Sequence, residues 1–533
     1  MRNIFFLILS CFCLLSVHAQ NETSKDHISL AGIWNFKLDP LNISIPVKGS
    51  NFVSRFPEEI TLPGSTDQAG KGFKTQDMSS LRLTRMFEYS GAAWYEKENI
   101  FIPESWKDQL LFLFLERVHW ESQVWINGKF VGKEESLSTP HLYDITSYVK
   151  FGDWNTVRIR VDNGNIHDIA YTHAISAETQ TNWNGIIGRM EIQAVSKVHI
   201  TDVQIYPLQK EKRLKIVAQI ANHSNLPVKG DIRIRCHFLN DSQLLHLNEK
   251  NTTFNSSDSL IHLVHYYDLG DKLYTWDEFE PNLYEIDYEI KCCGKSDVQK
   301  IKFGIRDFGT KGTHFTINDI PTFIRGAVNS CEFPITGYPP MSYEEWKKVM
   351  KVYKDYGFNC IRFHSWCPPE SAFQVADELG LYLQVENSDW RFTVGEDEAT
   401  NAFYLDEVQR IFKEYGNHPS FAFFCEGNEL VGKDCVDFLK EMLTEWKKDS
   451  RHLYVAASGY PTVEGSDFFD FYGARPQRWQ EGLKGRFNSQ PLNTRYDYID
   501  YVKKFSIPMV THEIGQWCAY PDFNQISKYI GVL

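Results

Sequence analysis

Two short apolar runs in this chain end in glutamates. They are Phe421-Ala422-Phe423-Phe424-Cys425-Glu426-Gly427-Asn428-Glu429 and Pro508-Met509-Val510-Thr511-His512-Glu513-Ile514-Gly515. Each has the composition of a fully buried parallel strand, followed by a polar, glycine-relaxed end that presents a carboxylate. Two carboxyl groups facing one another can cleave a glycosidic bond, one protonating the leaving oxygen and the other attacking the oxocarbenium-like centre. Glu429 is the predicted acid/base and Glu513 the predicted nucleophile. Either one alone would read as a solvated strand-end carboxylate paired with a cation; the repeated design is what points to chemistry. Glu426 competes for the acid role, but no asparagine precedes it and it is expected to point to the opposite face.

The elements that must position this pair are strands alternating with helices from residue 307 onward. Strands are predicted at 322–326, 359–364, 381–387, 453–457 and 467–471, besides the two that deliver Glu429 and Glu513. Between them lie helical stripes: Trp346, Val349, Met350 and Tyr353, ended by Gly357; a helix opened by Pro369 and ended by Gly380; Leu405, Val408, Phe412 and Tyr415, ended by Gly416; and Leu439, Met442, Leu443 and Trp446. Alternation of this kind predicts a (β/α)8 (TIM) barrel, with room between the glutamates for three units of about 30 residues. The sequence stops at Leu533, soon after strand seven, so the barrel is expected to lack its last unit.

Upstream the grammar is all-β. Residues 20–196 are predicted to form a jelly-roll sandwich, with a core strand at 109–115, a hairpin turning on Asn127-Gly128 and a half-wet strand at 156–161. Residues 197–306 alternate like an immunoglobulin-type β-sandwich, with the polar stretch 251–259 as a loop or hairpin tip. Residues 307–533 are the barrel domain.

Four phrases of the first region, Leu62-Pro63-Gly64-Ser65, Ala93-Trp94-Tyr95-Glu96, Val124-Trp125-Ile126-Asn127-Gly128-Lys129 and Gly185-Ile186-Ile187-Gly188, resemble the sugar-binding domain of glycoside hydrolase family 2. Pro281-Asn282-Leu283-Tyr284, Asn417-His418-Pro419-Ser420, Gly427-Asn428-Glu429 and Thr511-His512-Glu513-Ile514-Gly515 continue the resemblance. The family includes β-galactosidases, β-glucuronidases and β-mannosidases. The resemblance implies that Asn428 binds the sugar 2-hydroxyl and that Arg362 orients the nucleophile. The string after that arginine, Phe363-His364-Ser365-Trp366-Cys367-Pro368, departs from the family's Ser-His-Tyr-Pro and leaves the sugar open. His364, Glu386, Asn387 and Trp517 are further candidate sugar contacts, Asp389 is a candidate for substrate hydroxyls or for supporting groups, and Trp366 and Trp390 could stack on a sugar face. His418 is read as structural, at the far end of the barrel.

A net charge of −13 over 533 residues argues against a nucleic-acid surface. The start, Arg2, then an apolar run over 4–17 and Val17-His18-Ala19, has the anatomy of a secretory signal peptide cleaved after Ala19, so a secreted or periplasmic protein is expected; lipid anchoring through Cys11 is a lesser alternative. No other stretch is long and apolar enough to span a bilayer. The cysteines are scattered, no metal-ligand spacing occurs, and the chemistry needs no cofactor. The expectation is a retaining exo-β-glycosidase acting on a carbohydrate substrate, β-galactosidase-like first and β-glucuronidase-like second; the competing expectation is an inactive truncated fragment or a carbohydrate-binding protein. Oligomeric state is not legible.

Overall fold

The computed structural model describes residues 26–44, 56–76, 86–176, 181–240, 245–246, 249–271, 273–471, 499–513 and 522–528. The predicted leader and Trp517 therefore lie outside the described residues.

The first sandwich packs a six-stranded sheet on a five-stranded one. The strand Asp153–Asp162 lies between Glu121–Ile126 and Ala92–Ile102, all antiparallel. Alternation buries Val157, Ile159 and Val161 against Leu111, Leu113 and Leu115 of the opposing strand Leu110–His119. Asn127 and Gly128 both take positive φ, 52° and 78°, the geometry of a type I′ hairpin turn. In the second sandwich a three-stranded sheet faces a five-stranded one, with Ile216, Ile234, Ile286 and Tyr288 in its core. Most of 251–259 is no loop there: Lys250–Ser256 is a strand paired with Val228–Phe238, and only 257–259 form the connection to the next strand. With only Phe254 of the strand buried it had no apolar pattern to show, because an edge strand needs few buried contacts to keep its ladder.

Beyond residue 325 the strands run parallel: β1 (Gly326–Asn329), β2 (Cys360–Phe363), β3 (Tyr382–Asp389), β4 (Phe421–Gly427) and β5 (Leu453–Val455) pair in sequence order. The short strand Ser458–Gly459, then β6 (Phe469–Phe471) and β7 (Met509–Thr511), form a second parallel set, joined to the first by a bridge between Asn428 and Ser458. Strand one is displaced from its predicted place. Ile320–Thr322 belongs to an antiparallel hairpin, and the parallel strand begins only at Gly326. Both segments are short and apolar, and only pairing partners distinguish them. Helices α1 (Tyr343–Asp355), α2 (Glu370–Leu379), α3 (Glu398–Tyr415) and α4 (Cys435–Trp446) follow β1 to β4 in turn, as the apolar stripes require.

Trp276, fully buried, ties the second sandwich to the parallel strands: its backbone N–H donates to Ile305, its indole N–H donates to the Asp377 carbonyl at 2.8 Å, and its ring packs edge-on to Tyr382. Trp276→Ala is expected to cost about 3–5 kcal/mol. Urea unfolding should show that loss; a change below about 1 kcal/mol would mean that the two units do not depend on this contact.

Candidate active site

The end of β4 is shaped by backbone crowding. A Cβ on Gly427 would fall 2.1 Å from the Asp389 carbonyl, so only glycine lets β3 and β4 close here. Asn428 then donates its N–H to that carbonyl, and Glu429 donates its N–H to Ser458 at 2.8 Å. Glu429 and Glu513 both sit in the left-handed region, with φ 49° and 47°. Non-glycine residues pay for that conformation, and strain of this kind is held at functional sites by over-determined surroundings.

Those surroundings are a buried charge network. Arg362, on β2, donates through Nε to Glu386 at 2.6 Å, through one terminal nitrogen to Glu513 at 3.2 Å, and through the other to the Asn428 side-chain oxygen at 2.7 Å. The second Glu386 oxygen accepts the Ser365 N–H at 2.7 Å. His364 Nε2 stands 3.2 Å from Glu513. His512 Nε2 reaches Glu429 at 3.4 Å and the same Glu513 oxygen at 3.2 Å, while its Nδ1 faces Asp470 at 3.4 Å. Both predicted carboxylates thus meet one imidazole nitrogen, and the two distances together cap their separation.

Burial works to raise the Glu513 pKa, but the His364 and His512 rings beside it and the charges of His512 and Arg362 outweigh it and hold the group well below the ordinary carboxylate range. Burial works against a charged His512, yet Asp470 and the two glutamates carry its pKa up to about 10. Asp470 is drawn down to about 2 against its burial, chiefly by His512. Burial dominates at Glu426 and, with the Asp389 charge, pushes it well above the usual range.

Of the sequence candidates, the structure gathers Glu429, Glu513, Asn428, Arg362, His364 and Glu386. Asn387 is not among them: its amide lies 3.4 Å from the Tyr404 carbonyl on α3 and 3.4 Å from Glu426, behind the strand. Strand alternation sends it away from Glu386. Asp389 is paired with Arg391. Trp366 is core, stacked among Phe363 and Trp346, whereas Trp390 is half-buried with its ring 4.9 Å from His364. His418 is bonded to Asp377 at 2.6 Å, in the Trp276 region.

Sequence reasoning missed three members. His512 stood unused inside the strand-seven motif, and Asp470 inside predicted strand six. His173 carried no signal at all: it comes from the first sandwich, 192 positions before Ser365, whose hydroxyl accepts its N–H at 3.0 Å, and its ring lies 4.5 Å from His364. Burial, with His364 and Arg362 nearby, lowers the His173 pKa to about 3, so the ring is neutral.

Residues 28–189 match the family model for the sugar binding domain of glycosyl hydrolases family 2, and residues 198–306 match the companion family 2 model. A β-galactosidase of Priestia megaterium is 26% identical over 377 residues, 66% of this chain and 35% of that protein. A provisionally named β-glucuronidase of Formosa agariphila is 24% identical over 509 residues, 91% of this chain and 56% of that protein. The solved structure of Bacteroides uniformis β-glucuronidase 2, covalently bound to cyclophellitol-6-carboxylate aziridine, superposes with a TM-score of 0.68 at 17% identity, over 82% of this chain and 53% of that one. The chain spans about a third of the length of the first of these curated relatives and a little over half of the second.

Arg362→Met leaves Glu386 buried without its cation and is expected to destabilise the protein by about 3–5 kcal/mol, part of it recovered by adding Glu386→Gln, while the loss at Glu513 and Asp470 remains. Chemical denaturation of both variants decides this; equal stability of the single variant and wild type would refute the buried pairing.

Proposed function

The chain belongs to glycoside hydrolase family 2, and from that premise we propose that it is a retaining exo-β-glycosidase, with a β-galactoside as first substrate and a β-glucuronide as second. The observation that carries this reading is the convergence of Glu429 and Glu513 on one imidazole nitrogen, at 3.4 and 3.2 Å. That proximity suits the roughly 5–5.5 Å separation at which one carboxylate attacks directly, rather than the roughly 6.5–9.5 Å that admits a water between them. The parallel strands β1 to β7 fit the larger part of a (β/α)8 barrel, with both glutamates at the C-terminal strand ends where such barrels hold their chemistry.

In this mechanism Glu429 protonates the leaving oxygen while Glu513, kept anionic by Arg362, His364 and His512, attacks the anomeric carbon. Glu429 then deprotonates the water that releases the sugar. Asn428 presents a buried side-chain N–H2 that no acceptor reaches among the described residues, a donor suited to the sugar 2-hydroxyl. His173, His364 and Trp390 wall one side of the pair, which suits a pocket for a terminal sugar. Among the described residues, Arg362 and Arg391 are both committed to carboxylates, which favours a neutral sugar over a uronate. The leader read in the sequence supports an exported enzyme.

Nitrophenyl β-galactoside should be hydrolysed with retention, and Glu513→Gln should abolish turnover. Glu429→Gln should lose about 10²–10⁴-fold on nitrophenyl substrates and less on dinitrophenyl ones, whose leaving group needs no proton. Turnover of the glucuronide alone would move the assignment to the second sugar; no turnover of any β-glycoside by folded protein would sink the reading.

A further inference from the structure

Retaining hydrolysis moves one negative charge back and forth between two carboxylates. Before reaction Glu513 is anionic and Glu429 protonated. In the first step the Glu429 proton goes to the leaving oxygen, the glycosidic bond breaks, and a Glu513 oxygen bonds the anomeric carbon, so Glu513 becomes a neutral ester and Glu429 the anion. In the second step water gives its proton to Glu429 and its oxygen to the anomeric carbon, and the ester bond returns its electron pair to Glu513. The pair carries one charge throughout, and only its address changes.

His512 is placed to accompany that charge. Its Nε2 lies within 3.4 Å of an oxygen of each glutamate. The side chain is fully buried. Gly459 leaves the space it occupies: a Cβ there would stand 3.1 Å from the ring's Nε2 and 3.1 Å from the Glu429 Cγ. On the other side Nδ1 faces Asp470, which is itself held by the Ser458 hydroxyl, by the Gln384 amide at 3.4 Å and by Arg362 at 3.8 Å. The charge of an anion fixed in this way favours a protonated ring, whose Nε2–H then faces the glutamates. The charged and titratable groups facing the ring, among the described residues, are Glu429 after β4, Asp470 on β6 and Glu513 after β7, with Arg362 and His364 behind Glu513.

We propose that His512 is a positioning residue shared by the two carboxylates, a cation whose Nε2–H bonds whichever of Glu513 and Glu429 is anionic and passes from one to the other as the glycosyl ester forms and breaks. No proton leaves the ring. The proposal rests on the glycosidase reading of the preceding subsection. It explains why a motif histidine adjoins the nucleophile, and why the acid/base and nucleophile are tied through a single group. The high pKa of His512 agrees with a ring charged across the working range.

The test is the pH dependence of kcat/KM in wild type, His512→Gln and Asp470→Asn. The acidic limb reports ionisation of Glu513 and the basic limb loss of the Glu429 proton. A cation beside both favours both anions and lowers both limbs, so His512→Gln should move both upward together, by about 1 pH unit or more. Asp470→Asn should move them the same way by less. A structural lesion would lower the rate and leave the limbs in place. Stationary limbs, or limbs moving apart, in a folded His512→Gln enzyme that still turns over would overturn the proposal and leave the glycosidase reading intact. Nitrogen NMR of the wild-type ring gives a readout without turnover: an imidazolium is expected at pH 7, and a neutral ring there overturns the proposal. Failure of the wild type to hydrolyse any β-glycoside defeats the glycosidase reading and this inference with it.

Discussion

The guanidinium of Arg362 is the constraint on which the site depends. It is buried, and it touches Glu386, Glu513 and Asn428 within 3.4 Å. A single planar donor fork thereby fixes the ends of β2, β3 and β4 and the turn after β7 relative to one another. Asp470 adds further negative charge beside it, and His512 stands against Asp470 and Glu513 with its pKa raised by them to about 10. Taken out of water, such a cluster gains stability only from complete pairing. Its geometry is correspondingly fixed, which is what a reaction between atoms a few ångströms apart demands.

Two kinds of packing hold that cluster in place. Behind the strands, Phe424, Phe412, Trp446 and Tyr454 form a continuous apolar layer under β4 and the helices around it. The first sandwich then reaches over the top: the Thr172 hydroxyl donates to the Ser365 carbonyl at 2.6 Å, and His173 follows it onto Ser365 and His364. Ser365 itself is in the left-handed region, with φ 51°, and is thus braced from both units. The sandwich contributes side chains beside the charged cluster as well as a support.

The strands that deliver Arg362, Glu386 and Glu429 were legible because buried parallel strands are continuous apolar runs and their helices keep a 3.6-residue stripe. The strand at Lys250–Ser256 and the true first parallel strand were not, since an exposed edge and a three-residue hairpin arm have no pattern distinct from a loop or a neighbour. Asn387 shows the other limit. The polar end of a strand looks uniformly functional in sequence, yet alternation gives Glu386 to Arg362 and Asn387 to the helix layer.

Residue chemistry by itself determined which groups could react. Paired glutamates at the ends of apolar strands, an asparagine before one of them and an arginine on a neighbouring strand are local facts, each written within a few consecutive residues. Only the tertiary structure decided how those groups are charged. The raised pKa of His512, the depressed Glu513 and the lowered His173 arise from burial and from partners brought together across strands and across domains. Electrostatic energy depends on distance and burial, and neither is encoded by position along the chain.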